Sequence, residues 1–197
     1  MFDLLRRLMA RQFGRRPVDR AAHGLYVSAV EAARSPALFT KGQVADTLDG
    51  RFDMIALHLT LVMDRLAHAS DNKGDQVAAL ETRLMEVHFS DMDQALREMG
   101  VGDLSVGKKV KAMARAFMGR RQAYTSAFET LDADGDEAPL RDALVRNVYR
   151  GAPPAPGAVD WLVAYCRRQR KTLKDQDIES VAKGQVRFTQ CVPGKVS

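Results

Sequence analysis

The chain has 197 residues, of which 46% are hydrophobic and 28% charged, and its formal net charge is +5. This composition is typical of a soluble globular domain, and a chain of this length buries about 70% of its unfolded surface without needing disulfides. The two cysteines, Cys166 and Cys191, lack metal-type spacing, and no apolar run approaches the roughly 20 residues of a membrane span. Composition therefore excludes a disulfide scaffold and a helical membrane span.

The charge is unevenly distributed along the chain. Residues 1–20 carry a net charge of +4, residues 21–140 carry −5, and residues 141–197 carry +6. Basic ends favour an anionic partner such as a membrane surface or RNA. Ordinary solvated charge is the alternative interpretation.

The first half of the chain predicts four helices after a basic amphipathic start. Residues 1–16 place apolar side chains on one side of a helix and arginines on the other. They show neither the apolar run nor the cleavage site of a secretory signal, so we interpret them as part of the mature protein. The next helices are predicted at about 19–34, from Asp46 or Thr47 to Leu66, and from Val77 to Met99, with a fourth after Asp103.

The second half continues the helical pattern. The helix after Asp103 either breaks at Gly119 or continues to Phe128, and an acidic loop is predicted at 132–137. Further helices are predicted between Pro139 and Gly151, around Trp161, and within DQDIESVAKG, after which residues 185–192 form a short strand or an ordered tail. The predicted fold is all-α: one compact bundle of roughly seven helices with an amphipathic N-terminal helix. The predicted parts are residues 1–16, 17–184 and 185–197.

The stretch GVGDLSVGKK, residues 100–109, matches the G-x-x-x-x-G-K pattern of a phosphate-binding loop. Such a loop needs a preceding buried strand and a Ser or Thr after its lysine to hold Mg²⁺. Here a helical pattern precedes Gly102, and Lys109 follows Lys108. A helix stop at Gly100 and a cap at Asp103 explain the stretch better, so a nucleotide-dependent enzyme is disfavoured.

The other chemical patterns are equally weak. Asp132, Asp134 and Asp136 resemble a calcium loop, but its sixth and twelfth positions hold Glu137 and Ala143. The four histidines lack H-E-x-x-H spacing, and no nucleophile signature or dinucleotide fingerprint is present. We therefore expect no catalytic residues, no metal and no cofactor.

Two long strings resemble the ubiquinol–cytochrome c chaperone family, whose members are assembly factors for respiratory complex III. They are VADTLDGRFDMIALHLTLVMDRL and FSDMDQALREMGVGDLSVGKKVKAMARAFMGRRQAY, preceded by LYVSAVEAARSPALF. The match runs from about Leu25 to Tyr124 and continues more weakly through LRDALVRNVYRG and DIESVAKGQVRF. The chain resembles the shorter, bacterial members.

The resemblance implies a helical, non-enzymatic chaperone that binds immature cytochrome b and helps it enter complex III. It also implies a cytoplasmic protein attached peripherally to the inner membrane, where the basic N-terminal helix would contact anionic lipid. A ribosome is a further expected partner, and DNA is not. A helical RNA- or ribosome-binding module and a general protein-interaction module are the alternatives.

Polar residues of the two strings are our candidates for the contact with the client. Ordinary capping and surface ion pairs are the competing interpretation. The predicted partner-binding residues are Arg51, Asp53, His58, Asp91, Asp93, Arg97, Glu98, Asp103, Lys108 and Arg120. The predicted membrane-contact residues are Phe2, Leu5, Arg6, Arg7, Met9 and Phe13.

Overall fold

The computed structural model describes residues 16–68, 74–152 and 154–190, which form helices and connecting turns without a strand. The all-α prediction is confirmed, with eight helices in these ranges where roughly seven were expected for the whole chain. In chain order they are α1 (Pro17–Ala33), α2 (Pro36–Thr40), α3 (Leu48–Ala67), α4 (Gly74–Glu98), α5 (Asp103–Asp134), α6 (Ala138–Asn147), α7 (Ala158–Lys174) and α8 (Ile178–Ala182).

Helix α3 lies at the centre of the fold. It contacts α1, α5 and α7 extensively, and α4 and α8 also pack against it. Its side chains are buried on most faces between Phe52 and Leu66, and consecutive residues such as Leu61 and Val62 are fully buried. A helix that is apolar nearly all round must be enclosed by other elements. The sequence of α3 therefore requires a central position.

The other long helices form two groups of four that share α3 and α5. In the first group α1 and α4 pack on each other and close against α3 and α5, with Leu25 and Leu84 in the interior. In the second group α6 packs between α5 and α7, and α7 returns to α3, with Phe128 and Leu144 buried. One continuous hydrophobic core runs through both groups.

Two helix boundaries confirm the predictions from local sequence. Helix α3 begins after Thr47, whose Oγ1 accepts a hydrogen bond from the Gly50 amide at 3.1 Å. A Cβ added to Gly50 would stand 2.0 Å from the carbonyl oxygen of Ala45, so glycine allows the preceding segment to cross the start of α3. Helix α4 ends before Gly100, whose φ of +79° lies in the left-handed region that favours glycine.

Other boundaries differ from the predictions. Pro36 opens the short helix α2 rather than only ending α1, because proline suits a first helical turn. Helix α5 does not break at Gly119 but continues to Asp134, so the acidic loop predicted at 132–137 shrinks to three residues. Gly135, with a φ of +71°, ends α5.

The two ends of the chain are only partly described. Residues 1–15, which hold the predicted amphipathic helix and all its membrane-contact residues, lie outside the described residues. Residues 185–190 form no strand and are held as an ordered tail, since the Gln169 amide pairs with the backbone of Thr189 at 2.8 and 2.9 Å. Within the described ranges, no helix combines the length and the apolar character that crossing a membrane requires.

Candidate functional site

The predicted site residues Asp53 and Arg120 meet inside the protein. Asp53 is fully buried on α3, and its Oδ1 accepts a hydrogen bond from Arg120 Nε, on α5, at 2.7 Å. Its other oxygen faces Nη2 of Arg150, just beyond α6, at 3.3 Å. The Arg120 guanidinium also lies over the ring of Phe52, 5.1 Å from its centroid. One buried carboxylate therefore ties α3, α5 and the end of α6 together.

In this cluster, burial and the neighbouring arginines have opposite effects on the pKa of Asp53. Burial raises the pKa of Asp53 to about 6, because the lost hydration outweighs the attraction of Arg120 and Arg150. Arg150 also lies 3.2 Å from the exposed Asp49. A buried carboxylate held by two guanidinium groups fixes helices in place, and removal of one partner is strongly destabilising.

His58 is buried in the core and takes part in a different contact between helices. Its Nδ1 lies 2.7 Å from the carbonyl oxygen of Met54, and its Nε2 lies 2.6 Å from the Tyr165 hydroxyl on α7. Burial lowers the pKa of His58 to about 4, so the ring is neutral at pH 7. Both ring nitrogens are thus engaged, and His58 packs α3 against α7. The described ranges contain no cluster of three metal-ligating side chains.

The second predicted segment forms the turn between α4 and α5, and we refer to residues 93–108 as the α4–α5 corner. Arg97, in the last turn of α4, donates from Nε to Asp93 at 2.6 Å and from Nη1 to Asp103, the first residue of α5. These side chains are 38–86% exposed. Exposed pairs contribute at most about 1 kcal/mol each, so they orient the corner more than they stabilise it.

Two large apolar side chains are exposed at the same corner. Met99 is 52% exposed and Leu104 is 102% exposed, whereas Val106 is buried and anchors the first turns of α5. Glu98 and Lys108 are also exposed beside them. Because Arg97 already has its carboxylate partners, the corner exposes its apolar groups and the charges of Glu98 and Lys108 to solvent.

The remaining predicted residues have partners within the chain. Asp91 accepts a hydrogen bond from the Tyr26 hydroxyl at 2.6 Å, and burial, reinforced by Asp91, raises the pKa of Tyr26 well above its ordinary value. Arg51 donates to Asp46 at 2.7 Å on the surface. The structure therefore distributes the candidate residues over separate parts of the fold. Most of the exposed candidates lie at the α4–α5 corner.

The G-x-x-x-x-G-K stretch has helical geometry. Gly102 precedes the first turn of α5, and the amides of Ser105 and Val106 donate to its carbonyl oxygen at 2.8 and 3.2 Å. Gly107 and Lys108 lie within α5, and the preceding element is α4 rather than a strand. The backbone amides around Gly107 are thus committed to a helix and do not form a phosphate cradle.

The acidic segment at the end of α5 belongs to an ion-pair cluster. Asp132 accepts hydrogen bonds from Arg170 at 2.8 Å and from Lys174 at 3.0 Å, and these contacts lower the pKa of Asp132 to about 2. Arg170 is 4% exposed and also pairs with Asp64 at 2.9 Å. Asp134 lies in the helix. The segment therefore joins α5 to α3 and α7.

The sequence did not reveal the partners of these charges. Arg150 is 97 residues from Asp53, and Arg170 is 106 residues from Asp64. No local spacing rule relates residues so far apart. The only local signal was the placement of charged residues within otherwise apolar helical stripes, as at Asp53 in α3 and Arg170 in α7.

Comparisons with known proteins agree with the resemblance seen in the sequence. The model of the family described as ubiquinol–cytochrome C chaperone matches residues 40–188. The mouse (Mus musculus) ubiquinol–cytochrome c reductase complex assembly factor 1 is 25% identical over 173 residues, which cover 87% of this chain and 56% of the mouse protein. The chain thus spans just over half the length of that relative.

A solved structure shares the whole fold. The crystal structure of the Cbp3 homolog from Brucella abortus superposes with a TM-score of 0.72 and 31% sequence identity, covering 96% of this chain and 97% of that one. The family match includes the buried Asp53–Arg120 pair and the α4–α5 corner. The chain therefore belongs to the ubiquinol–cytochrome c chaperone family.

Proposed function

We propose that the protein is an assembly chaperone for ubiquinol–cytochrome c reductase that binds immature cytochrome b beside the inner membrane. Membership of the chaperone family supports a role in the assembly of this complex. The observation that carries the contact is the exposure of Met99 and Leu104 at the α4–α5 corner. This assignment includes the proposal that the protein is not an enzyme.

The corner suits an apolar client. Cytochrome b is a polytopic membrane protein, and before assembly its apolar helices are exposed. Methionine adapts its shape to varied apolar surfaces, and an exposed leucine adds contact area. The Asp93–Arg97–Asp103 ion pairs hold the turn so that Met99 and Leu104 lie on its outer side. We therefore propose that the corner, rather than the buried Asp53 or His58, makes the contact.

Gene deletion and complementation test the proposal. Deletion is expected to lower the cytochrome b haem signal and complex III activity, and the wild-type gene restores both. Leu104→Asp is expected to restore less than a third of the activity, because a charge at the corner opposes apolar contact. Leu48→Asp, at another exposed leucine, is the matched control and should restore it fully. Normal complex III activity after deletion would refute the proposed function. Full rescue by Leu104→Asp would refute only the proposed contact at the corner.

We also propose that residues 1–16 attach the protein to anionic lipid on the cytoplasmic side of the inner membrane. The segment combines apolar residues with five arginines, a composition that gives reversible binding to anionic surfaces. Cosedimentation with vesicles containing 30% phosphatidylglycerol is expected to fall at least fivefold when residues 1–16 are removed. Equal binding by the truncated protein, or equal binding to neutral vesicles, would contradict this attachment.

A further inference from the structure

Three clefts adjoin one another on the surface between α5 and α6, and Arg146 lines all of them. Their volumes are 530, 520 and 420 Å³. Small residues of α5 recur along the floor at steps of three and four, namely Ala116, Gly119, Ala123 and Ser126. A Cβ added to Gly119 would meet no atom within 4 Å. This surface, the α5–α6 cleft, therefore lets another chain approach the α5 backbone closely.

One end of the α5–α6 cleft is rich in arginine. Arg115 lies at this end and Arg146 in the middle of the cleft; both are exposed, and within the described ranges neither has a carboxylate within 4 Å. Arg120 and Arg150 share the buried carboxylate of Asp53, and Arg150 also lies 3.2 Å from the exposed Asp49. The planar guanidinium group matches carboxylates with two parallel hydrogen bonds. This end is therefore suited to an acidic ligand.

Two further features mark the same end. Arg150 has a φ of +56°, a left-handed conformation that is uncommon for a residue with a Cβ and is often found at functional sites. Asn147 lines the cleft there, with its side-chain amide beside the Tyr124 hydroxyl.

The opposite end of the cleft has the opposite charge. Asp136 lies there, next to Pro139 at the start of α6, whereas Asp142 and Arg146, one helical turn apart on α6, line the middle of the cleft. From Ala116 to Thr130 the floor of α5 extends about 20 Å, which matches a helix of roughly 14 residues. A helix carries partial negative charge at its C-terminus and partial positive charge at its N-terminus. The charge gradient of the cleft is complementary to that of a helix.

We propose that the α5–α6 cleft binds a helical segment of a partner protein whose acidic C-terminal end lies against Arg115, Arg146 and Arg150. Its N-terminal end lies towards Asp136. The small floor residues admit the helix backbone, and the arginines pair with its carboxylates. This inference does not depend on the client being cytochrome b.

The charge gradient favours a protein helix over other anionic ligands. The phosphate backbone of RNA is negative along its whole length, so Asp136 would repel one end of it and Asp142 its middle. An anionic lipid surface is flat and would not enter a cleft between two helices. A helix with one acidic end satisfies both ends of the cleft.

A designed peptide tests the binding directly. The probe is a fluorescein-labelled, alanine-based helix of about 15 residues, with four glutamates in its last two turns and two lysines in its first turn. Fluorescence anisotropy with the full-length protein should show saturable binding that weakens as salt rises. The same composition with the charges reversed along the helix should bind at least fivefold more weakly. Absence of binding, or equal affinity for both peptides, would overturn the proposal.

Charge-reversal variants locate the site. Arg146→Glu and Arg115→Glu are each expected to raise the Kd for the acidic peptide at least tenfold. Arg168→Glu, at an exposed arginine of α7 outside the cleft, is the control with the same change in net charge and should raise it less than twofold. Circular dichroism and thermal melting check that the variants are folded. Equal weakening by all three variants, or tighter binding of a single-stranded RNA 15-mer or of anionic vesicles through Arg146, would contradict the inference.

Crosslinking in cells identifies the natural occupant. A photoreactive phenylalanine analogue at Ala123, on the cleft floor, should capture a segment with net negative charge, identified by mass spectrometry. An acidic segment, from cytochrome b or from another protein, would support the cleft proposal. A basic or wholly apolar segment, or RNA, would overturn the cleft proposal while leaving the proposed function untouched.

Discussion

Two buried histidines make the folded state sensitive to acid. Burial lowers the pKa of His58 and of His88 to about 4, below the value near 6.5 expected in the unfolded chain. The unfolded chain therefore binds more protons between pH 6.5 and 4, and stability falls as the pH falls through this window. Asp53 opposes this effect: its pKa of about 6 stabilises the fold below pH 3.8, and this contribution is lost as the pH rises through 6. Two histidines outweigh one carboxyl group, so acid destabilises the protein.

His88 is the histidine whose replacement tests this account. Among the residues that the structure describes, neither of its buried ring nitrogens has a hydrogen-bond partner, and the ring packs against Phe89 and Phe117 at 5.5 and 5.1 Å between centroids. His88→Phe should remove up to about 3 kcal/mol of the stability lost between pH 6.5 and 4. Urea unfolding at several pH values measures this change. An unaltered pH profile in His88→Phe would contradict the account.

The Asp53 cluster makes Arg120 more important for stability than its neighbour in sequence. Arg120→Ala would leave a buried carboxylate with only Arg150, so we expect a loss of about 3 kcal/mol or more. Arg121 also pairs with a carboxylate, Glu81 at 2.7 Å, but nearer the surface. Arg121→Ala should cost about 1 kcal/mol or less. Equal losses in the free energy of unfolding would show that the buried cluster contributes no more to stability than the Arg121–Glu81 pair.

At the scale of elements, one helix contact requires the absence of side chains. A Cβ added to Gly24, in α1, would stand 2.6 Å from the carbonyl oxygen of Gly184, just beyond α8. Gly184 itself has a φ of +88°, and a Cβ added to it would stand 2.6 Å from the Cα and from the carbonyl oxygen of Ala21. The backbone of α1 therefore touches the turn after α8 directly.

A matched pair of glycine substitutions tests this close contact. Gly24→Ala should lower the free energy of unfolding by about 2 kcal/mol, because α1 and the turn must move apart. Gly119→Ala, in the interior of α5 where a Cβ meets nothing, should raise it by about 0.5–1 kcal/mol through higher helix propensity. Thermal and urea unfolding give both values. Stabilisation by Gly24→Ala would contradict the close approach.

The positions of the helices along the chain were predictable from the sequence, whereas the way in which the helices pack on one another was not. The apolar stripe of α3, its Thr47 cap and the stop at Gly100 are local signals, and the structure confirms them. The continuation of α5 past Gly119 depends on burial of Tyr124 and Phe128 against other helices, which overrides the weak helix propensity of glycine. The same limit applies to the site: residues of the corner were predicted from one contiguous string, but Arg150 was not predicted.

At the scale of the whole molecule, α5 links the two helix groups and both proposed surfaces. Its first turns form the α4–α5 corner with Leu104, and its middle forms the floor of the α5–α6 cleft at Gly119. The buried Asp53–Arg120 pair fixes this same helix to the central α3. A client at the corner and a partner helix in the cleft would thus contact one rigid element of the fold.

The central claim is that the corner holds cytochrome b before complex III is complete. A photoreactive phenylalanine analogue at position 104, activated in growing cells during cytochrome b synthesis, measures this contact directly. We predict a crosslink to cytochrome b that disappears when its synthesis is blocked, and no crosslink from the same analogue at position 48. Capture of other proteins in place of cytochrome b, with complex III assembling normally in the same cells, would contradict the claim.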